Sequence, residues 1–494
     1  QTRQAVKFID IWDLKVAAGQ LTVWRPTAGP PHSSDWMPDA RPASYLQEAH
    51  LNDALNAAAG GRGPSWLATS FELPGPLDEY ALCKAFTDWI NRHEVLRSRL
   101  EPYADGDVLG MYRSTLRPGA VGLMRAEHGH VDDPRELSAR LEAVLDGSTD
   151  PLAWPSFVFL TVRRPDSTTV CVGLDHHNVD GYAVLLIAHE IRELYAAALD
   201  DRRACLTEVG SYLDFAGPER QDAARLHGDH EAVRQWREFV AEGGGRLPEF
   251  VVPVADGDAP APVPQTGGLD WLLDAEGARA FEMECRRGGG DFFSGLLACL
   301  ALAGQRLAGQ EDFRTVTPFH TRSERRFHRS LGWYVGIAPV GVAVRGGDGF
   351  AQVLKESGEA LRRARPLACA PLARLTELLG IPLEPRFMVS YMDIRSLPGA
   401  GRWAEWNATA LRSRRIHPHE VYLWLMRTRE GVYLSHRHPD SESGRAAVLP
   451  YLAETARLVR RVAAGDPPSA VSRTHPHAPA ARAGGGRGKE STPC

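Results

Sequence analysis

Lysine is almost missing from this chain: of its 57 basic residues only Lys7, Lys15, Lys84, Lys355 and Lys489 are lysines. Against 62 acidic residues the net charge is −5, so no global basic field exists to hold nucleic acid. Arginine in place of lysine, together with 47 Gly and 35 Pro, reflects GC-rich coding and carries no function of its own. Cysteine is scarce as well. The seven lie at 83, 171, 205, 285, 299, 369 and 494, without a C-x-x-C pair. Odd number and irregular spacing argue against a disulfide framework, and buried free thiols in a reducing compartment are expected. Long apolar runs are also absent: Leu296–Ala303 is far short of the roughly 20 residues a membrane-spanning helix needs. No signal-peptide pattern opens the printed sequence. A cytoplasmic monomer with neither nucleic-acid partner nor membrane span is the expectation.

What remains is a soluble globular composition, 43% hydrophobic and 24% charged, over 494 residues. That length suits two or three domains. The opening reads as strands (Val6–Leu14, Leu21–Trp24), a loop from Pro26 to Pro42, and a helix from Ser44, its expected N-cap. Strand Trp66–Leu73 follows, then helix Glu79–His93 with apolar residues at 82, 85, 86, 89 and 90, the spacing of one buried face. Helix Pro134–Leu145, strands Phe157–Val162 and Thr169–Leu174, and helices Tyr182–Leu199 and Glu231–Ala241 complete a first lobe, 1–245. Residues 246–268, rich in Pro, Gly and Ala, read as an inter-lobe linker. The second lobe, 269–465, repeats the alternation and ends in an amphipathic helix, Ser443–Ala464. Residues 466–494 have the composition of a disordered tail. Alternating strands and helices in both halves predict an α/β protein of two similar lobes.

The chemically suggestive stretch is Cys171–Gly181, where a strand delivers Asp175-His176-His177-Asn178-Val179-Asp180-Gly181 to the start of a helix. A histidine near its ordinary pKa of about 6.5 is largely neutral at cytoplasmic pH and accepts a proton from a hydroxyl or amine. Asp180 sits where an N-cap belongs, and Gly181 allows a backbone conformation that other residues resist. Adjacent histidines at a strand end point to opposite faces, so a metal site from His176, His177 and Asp180 is not expected. The pairs His417/His419 and His436/His438 read as core or exposed histidines. Arginine clusters at 286–287, 322–329 and 412–415 offer phosphate or acidic-surface contacts, or are simply solvated.

Several stretches, in order along the chain, resemble one superfamily. Phe71–Asp78 with Arg92-His93-Glu94-Val95-Leu96-Arg97 is similar to the N-terminal signature of condensation domains, and Asp175–Gly181 resembles their H-H-x-x-x-D-G. Thr317–Arg322 and Ser330–Gly336 resemble the arginine-bearing turn and the strand after it. Phe387–Asp393, His436–Asp440 and Ser44–Leu51 look most like the polyketide-synthase-associated acyltransferases of actinobacteria. The resemblance covers roughly residues 5–465. It departs in two places: Asp175 stands where the first histidine belongs, and no D-F-G-W-G occurs.

The resemblance implies two chloramphenicol-acetyltransferase-like lobes with the active site at their interface. The family's acyl-transfer histidine falls on His176, the position four residues before Asp180. His177 and Asp175 are secondary candidates. Asp180 would pair with Arg322 from the other lobe and, with Gly181, shape the loop, while Trp333, Tyr334 and Ser390 are candidates for a substrate tunnel. No bound cofactor is implied. An acyl-CoA or a phosphopantetheine-linked acyl carrier protein would bring the thioester, and a small hydroxyl or amine compound would accept the acyl group. Ester formation on a sugar, polyketide or other secondary metabolite leads. Amide formation between carrier-bound substrates, and a silent relative that recruits a carrier protein, are the alternatives. A backbone N–H near Gly181 is the expected oxyanion donor.

Overall fold

Aspartates start the helices where the apolar spacing places them. Asp78 accepts the Ala81 N–H (2.9 Å) ahead of Glu79–Arg92, and Asp291 forms a reciprocal capping box with Ser294 ahead of Phe292–Ala308. Ser44 caps the helix after it, accepting the Gln47 N–H at 3.1 Å. Leu82, Ala85, Phe86, Trp89 and Ile90 are all fully buried. Each of the large ones contributes on the order of 1.5–3 kcal/mol.

The computed structural model describes residues 7–30, 33–57, 63–105, 108–255 and 262–469. The first half holds β1 (Lys7–Asp10), β2 (Gly19–Thr27), β3 (Trp36–Asp39), α1 (Tyr45–Ala57), β4 (Trp66–Pro74), α2 (Glu79–Arg92), β5 (Ser98–Asp105), β6 (Val108–Leu116), β7 (Gly122–Val131), α3 (Pro134–Ser148), β8 (Phe157–Arg163), β9 (Ser167–Asp175), α4 (Ile187–Leu199), α5 (Ala216–Ala224) and α6 (Glu231–Glu242). The second holds β10 (Gln265–Asp274), α7 (Ala275–Arg287), α8 (Phe292–Ala308), β11 (Asp312–His320), β12 (Val335–Ala343), α9 (Phe350–Ala364), α10 (Leu372–Leu379), β13 (Phe387–Asp393), β14 (Thr409–Arg412), β15 (Val421–Arg427), β16 (Gly431–Pro439) and α11 (Glu442–Ala463).

Two large sheets define the two lobes. The first runs β1-β14-β4-β9-β8-β2-β7, the second β10-β16-β15-β13-β11-β12, and β3-β6-β5 form a small third sheet. Strand β9 lies near the middle of the first sheet, covered on both faces, so its end at Asp175 is held rigidly. In register, Asp175 faces Trp66 and Leu174 faces Leu67 on β4.

Three boundaries differ from the sequence reading. Strand β14 belongs to the second half of the chain but inserts between β1 and β4 of the first sheet, so the division at 245/269 does not follow the sheets. The stretch 246–268 is no free linker among its described residues. Leu247, Phe250 and Val254 are buried in the second lobe's core, and β10 already begins at Gln265. Gly267 and Gly268 there serve close approach: a Cβ at Gly267 would lie 2.3 Å from the His436 carbonyl on β16. Finally, the helix expected from Tyr182 opens with a 3-10 turn, Ala183–Leu186, before α4 starts at Ile187. Val6 and residues 470–494 of the expected tail lie outside the described residues, whereas Pro468 accepts the Phe350 N–H (2.7 Å) at the start of α9.

Candidate active site

The loop after β9 is built by its own polar groups. Asp175 ends the strand and caps a 3-10 turn, His176–Asn178, accepting the His177 N–H at 3.0 Å. The His176 N–H donates to the Ser65 carbonyl, 3.0 Å away just before β4. The histidines therefore sit on a turn, not on the strand end that the alternation argument assumed.

Asp180 anchors the other end. Its Oδ1 accepts the N–H groups of Tyr182 (3.1 Å) and Ala183 (2.7 Å). Arg322, from the loop after β11 in the other lobe, donates Nη1 to Oδ2 (2.7 Å) and Nη2 to Oδ1 (3.1 Å). The Tyr334 N–H adds a bond to Oδ2 at 3.0 Å. Asp180 is thus both helix cap and inter-lobe ion-pair partner. Both side chains are almost wholly buried, at 1% and 4% exposure, where a two-bond guanidinium–carboxylate pair with further N–H donors is what makes a buried carboxylate tolerable. The guanidinium lies between the rings of Tyr182 (4.8 Å) and Tyr334 (4.4 Å).

His176 is half-buried. Its Nδ1 is buried without a hydrogen-bond partner, which leaves Nε2 as the nitrogen a substrate can reach. The Trp333 ring lies 4.0 Å from the imidazole, tilted by 35°. Burial, and then the nearby His50, push the His176 pKa down to about 4; its own carbonyl, Asp175 and Asp180 act in the opposite direction without prevailing. An imidazole with so low a pKa is neutral at neutral pH and can accept a proton without keeping it.

Asp175 and His177 are brought together, and with them residues that the sequence did not single out. The buried Asp175 carboxylate takes His177 Nδ1 (2.6 Å) and His50 Nε2 (2.9 Å) on Oδ1 and the Ser65 hydroxyl (2.6 Å) on Oδ2. Burial raises its pKa, but the two imidazoles outweigh burial and hold it well below the usual carboxylate range. Gln47 of α1 reaches the His177 carbonyl at 3.2 Å. A signal for His50 and Gln47 existed: α1 has almost no apolar stripe, and two of its three buried residues are these polar ones. A helix that buries polar side chains is serving a polar site.

The remaining candidates separate. Trp333 faces the histidine, but Tyr334 is not a tunnel wall: it is fully buried, stacked on Arg322 with its hydroxyl on Ser330 (2.8 Å). Ser390 is buried on β13, next to Trp424 in register. Gly181 has no left-handed backbone, contrary to the reading above. A Cβ there would make ordinary contact, 3.7 Å, with Phe8 and Met392, so only larger side chains meet resistance. Among the described residues no group of three or more His, Cys, Asp or Glu could hold a metal, and the six described cysteines are free. Arg286 and Arg287 pair with Glu282 and Glu284 of their own helix, α7. The Arg92-His93 signature instead braces α4. His93 Nε2 donates to Glu190 (2.7 Å), while Nδ1 accepts the Leu331 N–H (3.3 Å) from the segment that carries Trp333.

The condensation-domain family model matches residues 63–390, and the chain belongs to that family. Its curated relatives are acyltransferases, and the chain is an acyl-transferring enzyme of that kind. The acyltransferase PapA3 of Mycobacterium tuberculosis is 27% identical over 91% of this chain and 95% of its own length. The trehalose-2-sulfate acyltransferase PapA2 of Mycobacterium bovis is 29% identical over 86% of this chain and 90% of its own. A solved PapA2 acyl transferase superposes with a TM-score of 0.83 at 26% identity, covering 92% of this chain and 99% of that one. The first condensation domain of the calcium-dependent antibiotic synthetase shares the fold, with a TM-score of 0.65 at 18% identity over 88% and 98% of the two chains. No helix among the described residues is long and apolar enough to cross a membrane.

Proposed function

We propose that the protein moves an acyl group from a CoA or carrier-protein thioester to a hydroxyl of a sugar or similar metabolite, with His176 as general base. One observation carries the reading: a neutral imidazole with one reachable nitrogen on a loop clamped between the lobes. His176 Nε2 takes the acceptor's proton as the oxygen attacks the thioester carbonyl, and an N–H near Gly181 serves the developing oxyanion. The tetrahedral intermediate then collapses, the carbon–sulfur bond breaks, and the departing thiolate takes the proton back from the imidazolium. An ester and a free thiol result. A sugar acceptor is favoured because the relative PapA2 carries trehalose-2-sulfate in its name.

The test offers matched alcohol and amine acceptors with one acyl thioester, presented on CoA and on a carrier protein. Ester formation should lead, and His176→Ala should lower turnover by ~10²–10⁴ with an unchanged fold. Near wild-type activity in that variant would remove His176 from the chemistry, preferred amide formation would favour the condensation alternative, and carrier binding without transfer would favour the silent one.

A further inference from the structure

We infer that His50 is a positioning residue for His176: from α1 it holds the Asp175 carboxylate behind the loop and, through Trp333, fixes the plane of the His176 ring. The inference rests on the reading of His176 as the base.

Three observations carry it. The Asp175 carboxylate, one residue from His176, is buried in contact with His50 Nε2 at 2.9 Å. Ser65 ties the two together, with its hydroxyl 2.6 Å from Asp175 Oδ2 and 3.2 Å from His50 Nε2, and its carbonyl holds the His176 N–H. Trp333 touches both imidazoles, edge-to-face with His50 at 5.5 Å and 4.0 Å from His176. Shifting His50 would therefore move both the charge behind the base and the ring against it.

The charged groups acting on His176 are few. They are His50 from α1, Asp175 from the end of β9, and Asp180 across the loop, the last already matched by Arg322. After burial, His50 is the largest of the influences that lower the His176 pKa. An uncompensated Asp175 would pull the other way and make the imidazole hold its proton. His177 also touches Asp175, through its own Nδ1 at 2.6 Å, while its carbonyl accepts from Gln47 of α1. This chain carries a carboxylate where the superfamily motif has its first histidine, and His50 supplies an imidazole to that place from another element.

The experiment compares wild type, His50→Gln and the neutral pair His50→Gln/Asp175→Asn. Gln keeps a donor to Asp175 in place of the imidazole. The double variant leaves no unpaired buried carboxylate, so it remains informative if the single one fails to fold. Each protein is followed by NMR titration of the His176 ring and by the pH profile of kcat/KM with an acyl-CoA and an alcohol acceptor. In His50→Gln the titration and the acid limb should both rise by about one pH unit or more, with kcat falling more than KM changes; the double variant should rise less. Titrations and acid limbs that stay at the wild-type position in the folded variants overturn the inference. A ring titration that moves while the acid limb stays supports His50 and overturns His176 as the base, which separates the two claims.

Discussion

At the scale of single residues, the Asp180–Arg322 pair should be far more sensitive than its surface counterparts. Removing one partner leaves the other charged, buried and unpaired, at about 3–5 kcal/mol. Arg322→Met should therefore lower the unfolding midpoint strongly, while Arg322→Met with Asp180→Leu recovers a large part of the loss; thermal unfolding of the three proteins checks this. Arg322→Lys should recover little, because one ammonium cannot reproduce two parallel bonds. The exposed Arg286–Glu282 pair, split by Arg286→Ala, should shift the midpoint hardly at all. His176, Asp180 and Arg322 were legible in sequence because each sits in a spaced motif. His50 and Ser65 were not. They reach Asp175 from positions 125 and 110 residues away; His50 entered only inside the Ser44–Leu51 stretch, without a role of its own, and Ser65 only as a serine before a strand.

Among the elements, those read correctly carry their burial in their own sequence. The apolar stripe gave α2, and Ser44 as N-cap gave α1. Edge and insertion strands escaped for the opposite reason. The face of β7 is almost entirely solvent-exposed, so no apolar alternation marks it. The four residues of β14 become a strand only because β1 and β4 lie on either side. The segment leading into β12 holds Trp333 through a tight contact that can be tested. Gly332 has φ +156°, and a Cβ there would lie 2.5 Å from Cγ of the Tyr212 ring. Gly332→Ala should cost about 1–3 kcal/mol from overpacking and displace Trp333. The expected readout is a lowered unfolding midpoint together with altered tryptophan fluorescence.

For the whole molecule, the fold class was legible from alternation and motif order, but the lobe boundary was not, because chain order and sheet order disagree. Residues 7–255 expressed alone would lack β14, leaving β1 without a neighbour and β4 with an open edge. That fragment should fail to unfold cooperatively, and co-expression with residues 262–469 should restore the transition, as seen by circular dichroism. Stability should also depend on pH in a defined window. His176 and His436 are both held to about 4 by burial, against an ordinary value of 6.5. Between these values the unfolded chain binds protons that the native chain refuses, so stability falls as the pH drops from 6.5 towards 4. Below 4.5, Glu190 adds to the loss: burial raises its pKa, but His93, Arg92 and Trp89 together outweigh that and hold it at about 2. Urea unfolding at a series of pH values measures the slope.

Strand β14 has one more consequence. The chain leaves β13 in one lobe, pairs as β14 in the other, and returns as β15, while Asp10 of β1 grips Arg437 of β16 at 2.8 Å. The lobes are stitched rather than hinged. A clamshell swing would have to unzip the ladder of β14 with β1 and β4 and strip two buried ion pairs, so traffic to the imidazole falls to loops and to the Trp333 ring. Turnover should then follow local side-chain motion and show little sign of a slow, global opening step.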